Sequence, residues 1–527
     1  MCPEEGVVDR SELSEAIIQE VGAILAEDLR AAGAELLSAD LDGMEVRLQA
    51  LSRRVCGAIM ERVAAVRAAP PGERPPCPAC GGLLRLVDQA RTRHLHGLTG
   101  DATIVRPTYV CTRADCRQGH APLDAELGLG TETLMPRLAR VVCRAGSTAA
   151  FDEAAAYLQE DHGVSVGGET VRRVTEALGA VAEAAQQEEI ARAQRGEVTR
   201  PAGGAVDVVV AVDGCQVPLE DGWHEIKVGR VAPLGPALCT DQRTRRTFLA
   251  WGASAICAGL ESAEEFWWRV YVTARRGGWG QQTRRVVVLG DGAEWIWQRA
   301  AHFLGGAGIV LVEILDIFHA YEHLWEAGRA VFDTPEALAT WVEPLKDALY
   351  AQGVAPVLAA LDALVPPHPA AAEALRRERA YFADNAARMA YPRFVAQQLP
   401  IGSGAVESLC KTLIEARAKQ AGMRWTRAGL QAVATLRALR ASGSWAAFWA
   451  GHPLRERLRR CPPARPRRAP APVPLPAVAV PPLARPASVA PAPTPPPAGV
   501  SPSATAVCRP APTHPWRRMK IGAARCA

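Results

Sequence analysis

The chain has 527 residues, of which 49% are apolar, enough for about three domains of ordinary size. No run of about 18 uncharged apolar residues occurs, so no helical membrane span is expected, and the Met1-Cys-Pro-Glu-Glu start lacks the basic and apolar regions of a signal peptide. The net charge of +4 conceals an asymmetry: thirteen Lys/Arg and one acid from Leu454 onward contribute +12 and leave the rest at −8 (4 − 12), which excludes a uniformly basic nucleic-acid binder and leaves only local basic patches.

Residues 1–70 read as a helical arm. Ser11 can cap a first helix whose apolar face is Leu13, Ile17, Val21, Ile24 and Leu25, and Ala50 to Val66 repeats the pattern. A helical hairpin and a dimerising arm fit equally well. Residues 71–126 hold Cys77-Pro-Ala-Cys80-Gly and Cys111-Thr-Arg-Ala-Asp-Cys116, with strand-like sequence between them. Two cysteine pairs at this separation fit a tetrahedral thiolate zinc site in a zinc ribbon. His94, His96 and His120 could replace a ligand, because the second spacing is loose. The fourteen cysteines as a set suit a reducing cytosol better than a disulfide framework.

Residues 127–200 contain a helix-turn-helix pattern from Phe151 to Leu178, followed by a polar helical linker from Glu183 to Arg200. Val171, Val174 and Leu178 would face inward. Thr170, Arg172 and Arg173 would face outward, as a recognition helix requires.

Residues 201–332 read as an α/β core. Asp207-Val-Val-Val-Ala-Val-Asp213-Gly is a β-branched run ending in a carboxylate, the pattern of a strand covered on both faces. Trp223 to Val231 and Arg246 to Trp251 read as antiparallel strands, and Glu261 to Arg269 as a helix. Val286-Val-Val-Leu-Gly-Asp291-Gly repeats the first pattern, and Gly308 to Leu315 is a fifth strand ending at Asp316-Ile-Phe-His319. The order β-β-β-α-β-α-β-α predicts a ribonuclease-H-like mixed five-stranded sheet. Residues 333–398 are a helical insertion with a Pro-rich break at Val365 to Pro369, and residues 399–452 return with Gly402-Ser-Gly404 leading into a helix that carries Glu407 and Lys411. Arg417, Lys419, Arg424 and Trp425 follow. Residues 453–527 form a basic tail; Cys461 onward holds 19 of the 41 prolines and is expected to be disordered or extended.

Asp213, Asp291 and Glu407 have the makings of a two-metal site. Phosphoryl transfer needs both the attacking and leaving oxygens stabilised, which two Mg²⁺ (or Mn²⁺) ions held by carboxylates on rigid elements can do. Asp-Gly after a strand is also simply a good turn, so either aspartate alone would be read that way.

The motifs Val212-Asp-Gly, Trp223-x-Glu-x-Lys227, Gly290-Asp-Gly-Ala-x-Trp-Ile-Trp297, Ile314-Leu-Asp-Ile-Phe-His-Ala320, Ile401-Gly-Ser-Gly-Ala-Val-Glu-Ser408 and Lys419-Gln-Ala-Gly-Met-Arg-Trp425 together resemble the DDE transposases of bacterial insertion sequences, the IS-Kra type in particular. The resemblance runs from about Cys77 to Trp445, takes in Pro122-Leu-Asp124, and touches His514-Pro-Trp-Arg517. The long Pro-rich segment departs from it. It implies that Asp213, Asp291 and Glu407 are the catalytic triad, with Asp316 and His319 as accessory groups. Binding of the terminal inverted repeats, strand cleavage and transfer of 3′-hydroxyl ends to target DNA would follow. Lys227, Lys411, Arg417, Lys419 and Arg424, with Arg172 and Arg173, would meet DNA phosphates. The implied partners are double-stranded DNA at the element ends and target, and further copies of the chain assembled on it, in the cytoplasm or nucleoid. A structure-selective nuclease of the same fold, and an inactive DNA-binding regulator, are the rival expectations.

Overall fold

The structure, a computed structural model, describes residues 10–68, 76–129, 133–235, 238–240, 247–249, 253–402 and 404–451. The expected tail beyond residue 452 lies outside them.

Helices α1 (Arg10–Ser38) and α2 (Leu41–Arg67) form a hairpin. Asp40 caps α2 by accepting the Gly43 N–H at 2.9 Å, and Arg54 bridges back to Asp28 at 2.8 Å and Glu27 at 2.6 Å. Strands β1 (Leu84–Leu95), β2 (Ala102–Cys111) and β3 (Gly119–His120) make a small antiparallel sheet, followed by the short α3 (Pro122–Glu126). The carboxylate of Asp124 fastens α3 to this sheet through Arg106 (2.8 Å) and Arg93 (2.6 Å).

Helices α4 (Pro136–Gly146), α5 (Phe151–His162) and α6 (Gly168–Gln194) pack around Leu138, Val142, Leu158, Val171, Val174 and Leu178. The α5–α6 turn closes on Gly163 at φ 60°, where a side chain would be strained.

A five-stranded mixed sheet follows: β4 (Asp207–Leu219), β5 (Gly222–Pro233), β8 (Ala255–Gly259), β9 (Arg285–Gly290) and β10 (Val310–Leu315), in the order β10-β9-β4-β5-β8. β4 pairs antiparallel with β5 and β5 with β8, whereas β9 and β10 run parallel to β4. Two short strands, β6 (Leu238–Thr240) and β7 (Thr247–Leu249), pair with each other in a separate two-stranded sheet. This corrects the expectation for the third strand of the sheet. That strand is Ala255-Ile-Cys-Ala-Gly259, not the stretch around Phe248; Arg246 and Trp251 lie outside the described residues.

The valine runs form strands because both faces are covered. Val209 and Ala211 of β4 with Val287 and Leu289 of β9 face one core, and Val208, Val210, Val212, Val286 and Val288 face the other. α7 (Ala263–Arg276) and α8 (Glu294–Leu304) cover the second face. The first face carries α9 (Ile317–Arg329), α10 (Pro335–Gln352), α11 (Ala355–Asp362), α12 (Pro369–Asp384), α13 (Tyr391–Ala396), α14 (Gly404–Leu409), a π-helical turn (Cys410–Glu415), α15 (Ala416–Ala418) and α16 (Arg427–Ala441). α17 (Trp445–Ala450) packs on the α4–α6 cluster through Trp449. The result is a three-layer α/β/α unit. Among the described residues no helix is long and apolar enough to cross a membrane.

Candidate metal centre and carboxylate site

The thiols of Cys77, Cys80, Cys111 and Cys116 all lie within 4.8 Å of one another. The first pair sits on the turn before β1, Cys111 ends β2, and Cys116 sits on the turn before β3, so the small sheet brings both knuckles together. The Cys77–Cys116 and Cys80–Cys111 sulfurs are 3.8 and 3.5 Å apart. Thiolates about 2.3 Å from a central zinc in a tetrahedron would stand about 3.8 Å apart, so the quartet could hold a metal such as zinc. Of the three histidines considered as substitutes, His120 stands beside the quartet, its Nε2 3.2 Å from the Cys77 sulfur. His94 bonds Thr103 at 2.9 Å and His96 bonds Asp101 at 3.2 Å.

The second site lies where the parallel pairing of β4 with β9 stops; β9 ends there, but β4 does not end at Asp213 as the valine run suggested and continues to Leu219 in its hairpin with β5. The β4–β9 register pairs Asp207 with Arg285 and ends at Ala211 with Leu289; continued by two residues it would align Asp213 with Asp291, whose charge acts on the Asp213 carboxyl. The β10–β9 register pairs Leu315 with Gly290, which sets Asp316 beside Asp291 in turn, and the Asp316 N–H continues the ladder to the Gly290 carbonyl at 2.8 Å. Neighbouring strands are about 4.8 Å apart, so the three aspartate backbones end near one another, but their carboxylate oxygens do not all lie within 4.8 Å of each other.

Their charges are felt. Burial, with the negative charge of Asp291, raises the Asp213 carboxyl above its ordinary value, against a 2.7 Å bond from the Gly214 N–H and a bond from the Cys410 thiol. Asp316 is 1% exposed and caps α9 by accepting the Phe318 N–H at 3.1 Å. His319, one turn on, faces Asp316 at 3.7 Å; that carboxylate, against burial and with the charges of Asp291 and Glu322, pushes the imidazole up to about 9.

Glu407 is placed differently. Its helix packs on β4 through Val406 and Cys410, both buried, but the Glu407 carboxylate pairs with Lys411. Among the described residues, the cysteine quartet alone gathers three or more metal-ligating side chains within 4.8 Å; Asp213 and Asp291 form no such group with either Glu407 or Asp316. The loop before it is anchored, since the Ile317 N–H donates to the Ile401 carbonyl at 2.9 Å beside Asp316.

Two residues at this site escaped the sequence reading. Tyr381 of α12 donates its hydroxyl to the Asp291 carbonyl at 3.2 Å and stacks on His323 at 3.6 Å, which is bonded to the buried Glu378 at 2.6 Å. Nothing in the sequence marks it, 90 residues from its acceptor. Cys410 was readable: it lies three residues after Glu407, on the same side of the chain.

Two of the cations expected to meet phosphates are not on the surface. Lys227 is 7% exposed, bonded to the Glu261 carbonyl at 3.1 Å and to Glu225 at 2.8 Å, with its ammonium over the Trp295 ring. Arg417 is 1% exposed, clamped between the rings of Phe151 and Trp425, and donates to the Gly146 carbonyl at 3.1 Å. Desolvated cations over aromatic faces bind structure together. Trp425 is likewise a packing residue, its indole N–H donating to the Ala418 carbonyl at 3.2 Å. The remaining cations are more accessible. Lys411 pairs with Glu407 and Lys419 with Glu415 at 2.5 Å; Arg172 is held by Glu169 and Glu176 at 2.6 and 2.7 Å; Arg173 and Arg424 are exposed. Nor is Glu183 part of a solvated linker, since it forms a buried ion pair with Arg269 at 2.6 Å.

Compared with known proteins, the chain matches no protein-family model and no curated protein.

Proposed function

We propose that the chain is a DNA transposase that cleaves strands at the ends of its element and joins the 3′-hydroxyl ends to target DNA. The observation that carries the reading is the proximity of Asp213 and Asp291, each two residues past the last β4–β9 pair, with the Asp291 charge felt at the Asp213 carboxyl and Asp316 following β10 beside them. The strand order and directions support a ribonuclease-H-like assignment, with three antiparallel strands followed by two laid parallel beside the first. The donor set suits a hard divalent cation such as Mg²⁺ or Mn²⁺: carboxylate oxygens, one of them raised by burial and a like charge that a cation would relieve. When bound, such cations stabilise the attacking and leaving oxygens of phosphoryl transfer. The chain's own part is to hold Asp213 and Asp291 on the sheet, to bring Glu407 from the helix above, and to keep a protonated His319 beside them as a positive group for a phosphate oxygen. The cysteine quartet would take a structural zinc ion, and the α4–α6 segment would bind duplex DNA, with further copies of the chain assembling on the paired element ends.

The test is a plasmid assay with the cloned DNA flanking the gene. Wild-type protein with Mg²⁺ or Mn²⁺ should yield 3′-ends and strand-transfer products, and Asp213→Asn, Asp291→Asn and Glu407→Gln should each abolish both. Cleavage without joining would favour a structure-selective nuclease instead. One observation favours a binding-only protein, namely that Glu407 pairs with Lys411 rather than with the aspartates. In that case the wild type would bind the DNA and leave it uncut.

A further inference from the structure

A second basic helix face, on α4, stands apart from the helix that the sequence pattern marks for recognition. From Thr133 to Ala150 the chain holds Arg137, Arg140 and Arg144 and no acid. Their spacing, three then four residues, sets all three on one face of α4. The opposite face is Leu138, Ala139, Val142 and Cys143, all fully buried. The three arginines are exposed and span about 10 Å along the helix. α16 adds Arg440 to the same patch. Its guanidinium donates to the Thr148 hydroxyl at 2.6 Å, and that hydroxyl donates to the Arg144 carbonyl at 2.8 Å.

These arginines have no acid beside them among the described residues. Among the described residues no carboxylate stands within 4.0 Å of Arg137, Arg140, Arg144 or Arg440. α16 from Arg427 to Ala441 also contains no Asp or Glu. The Arg440 guanidinium is lowered by burial and by the charge of Arg144, so the patch repels itself. Uncompensated, mutually repelling guanidiniums on a rigid helix face are what a row of phosphates neutralises. Arg172 of α6 is the contrast, because Glu169 and Glu176 already occupy it. A phosphate contact through Arg172 would first have to displace both pairs.

We propose that Arg137, Arg140 and Arg144, with Arg440 beside them, form the docking surface for the phosphate backbone of duplex DNA. The choice of duplex DNA as the polyanion rests on the reading above; the surface itself does not.

The experiment measures fluorescence anisotropy of the full-length chain with a labelled duplex between about 50 and 200 mM salt. The double variant Arg140→Glu/Arg144→Glu is expected to bind at least about tenfold more weakly and to flatten the log K against log salt slope by about two, near one unit per lost phosphate contact. Arg172→Ala should change affinity by less than about twofold. The milder Arg137→Gln/Arg140→Gln variant, also on an exposed face, should show the same direction. Unchanged affinity and slope in a double variant that melts like wild type would overturn the surface, as would a larger loss in Arg172→Ala, or a loss seen with single-stranded RNA but not with the duplex. Wild-type protein that binds through this face and never cuts would sink the catalytic reading alone. Cutting that persists with an unchanged slope in the double variant would sink the surface alone.

Discussion

Arg269 is a buried ion-pair position shared by distant parts of the chain. Its guanidinium, 1% exposed, is bound by Glu261 of the loop before α7 at 2.6 Å and by Glu183 of α6 at 2.6 Å, with Gln186 at 2.7 Å. Glu183 also accepts from Thr435 of α16 at 2.6 Å and from Gln431 at 3.1 Å. Three helices from distant parts of the chain therefore meet on one buried cation. Burial alone would raise the Glu183 carboxyl, yet the bonds from Arg269 and Thr435 hold it below its ordinary value. Arg269→Met keeps the aliphatic volume and strands two carboxylates, so it should cost about 3–5 kcal/mol. With about 2–4 °C lost per kcal/mol in a domain of a few hundred residues, the melting temperature should fall by about 6–20 °C. Glu183 is depressed in the fold, so its share is present above its unfolded pKa and is lost as pH falls below that value; the gap between wild type and variant should narrow on acidification. Adding Glu183→Gln and Glu261→Gln to Arg269→Met should recover much of the loss, because the buried charge is then gone. Thermal melts by circular dichroism across pH 4–8 read all of this. A loss below about 1 kcal/mol for Arg269→Met at neutral pH would refute the reasoning.

Four other outcomes are expected. Asp213→Asn removes a carboxylate raised by burial and by Asp291, so it should raise stability, by about 0.5–2 kcal/mol as stabilising changes usually do, while abolishing DNA cleavage; a destabilised variant in thermal melts would refute the repulsion. His319 is raised to about 9, so its stabilising charge is fully present below the unfolded value near 6.5 and is lost as pH rises through 9; the stability difference between wild type and His319→Gln should therefore be flat at acidic pH and shrink between those values. Purified protein should carry one zinc per chain by elemental analysis, lost in Cys77→Ser/Cys80→Ser together with the order of the small sheet. Tyr381→Phe removes the hydroxyl on the Asp291 carbonyl but keeps the His323 stack; cleavage should slow severalfold at unchanged DNA affinity, and an unchanged rate would show that the bond positions nothing.

How much of this was legible in the sequence depended on which forces act locally. The runs Val208 to Val212 and Val286 to Leu289 announced themselves because a strand covered on both faces needs apolar residues at every position. Aspartates at the ends of two such runs fall into register once the strands lie parallel, so their adjacency followed from the runs. Ala255-Ile-Cys-Ala-Gly259 was invisible because small residues carry little strand preference; its place is set by pairing with β5, from Val231 opposite Ala255 to Lys227 opposite Gly259. The cysteine pairs were readable by spacing. Lys227 and Arg417 were misjudged for one reason: a cation in a sequence looks solvated, and the rings that bury these two come from residues far away in the chain, Trp295 and Phe151. The Arg269 hub was hidden likewise, its partner Glu183 lying 86 residues off.

The two halves of the carboxylate site therefore have different physical standing. The aspartates are placed by backbone ladders that bury their neighbours completely, so their mutual repulsion is a fixed cost of the sheet, offset by the cores on either face. Glu407 is placed by a helix tethered at the Ile401 carbonyl and at Val406, and its carboxylate is already neutralised by Lys411 one turn on. Directly after it the helix widens into the π-turn Cys410–Glu415, a geometry found often at functional sites because one extra residue re-aims the side chains around it. A positive charge beside the aspartates and a phosphate beside Lys411 would both act against the Glu407–Lys411 pair. An exposed pair of this kind holds by about 0.3–0.5 kcal/mol, far less than the sheet. The Glu407 carboxylate is accordingly the part of the site held least tightly, while the helix that carries it is fixed on β4 through buried Val406 and Cys410.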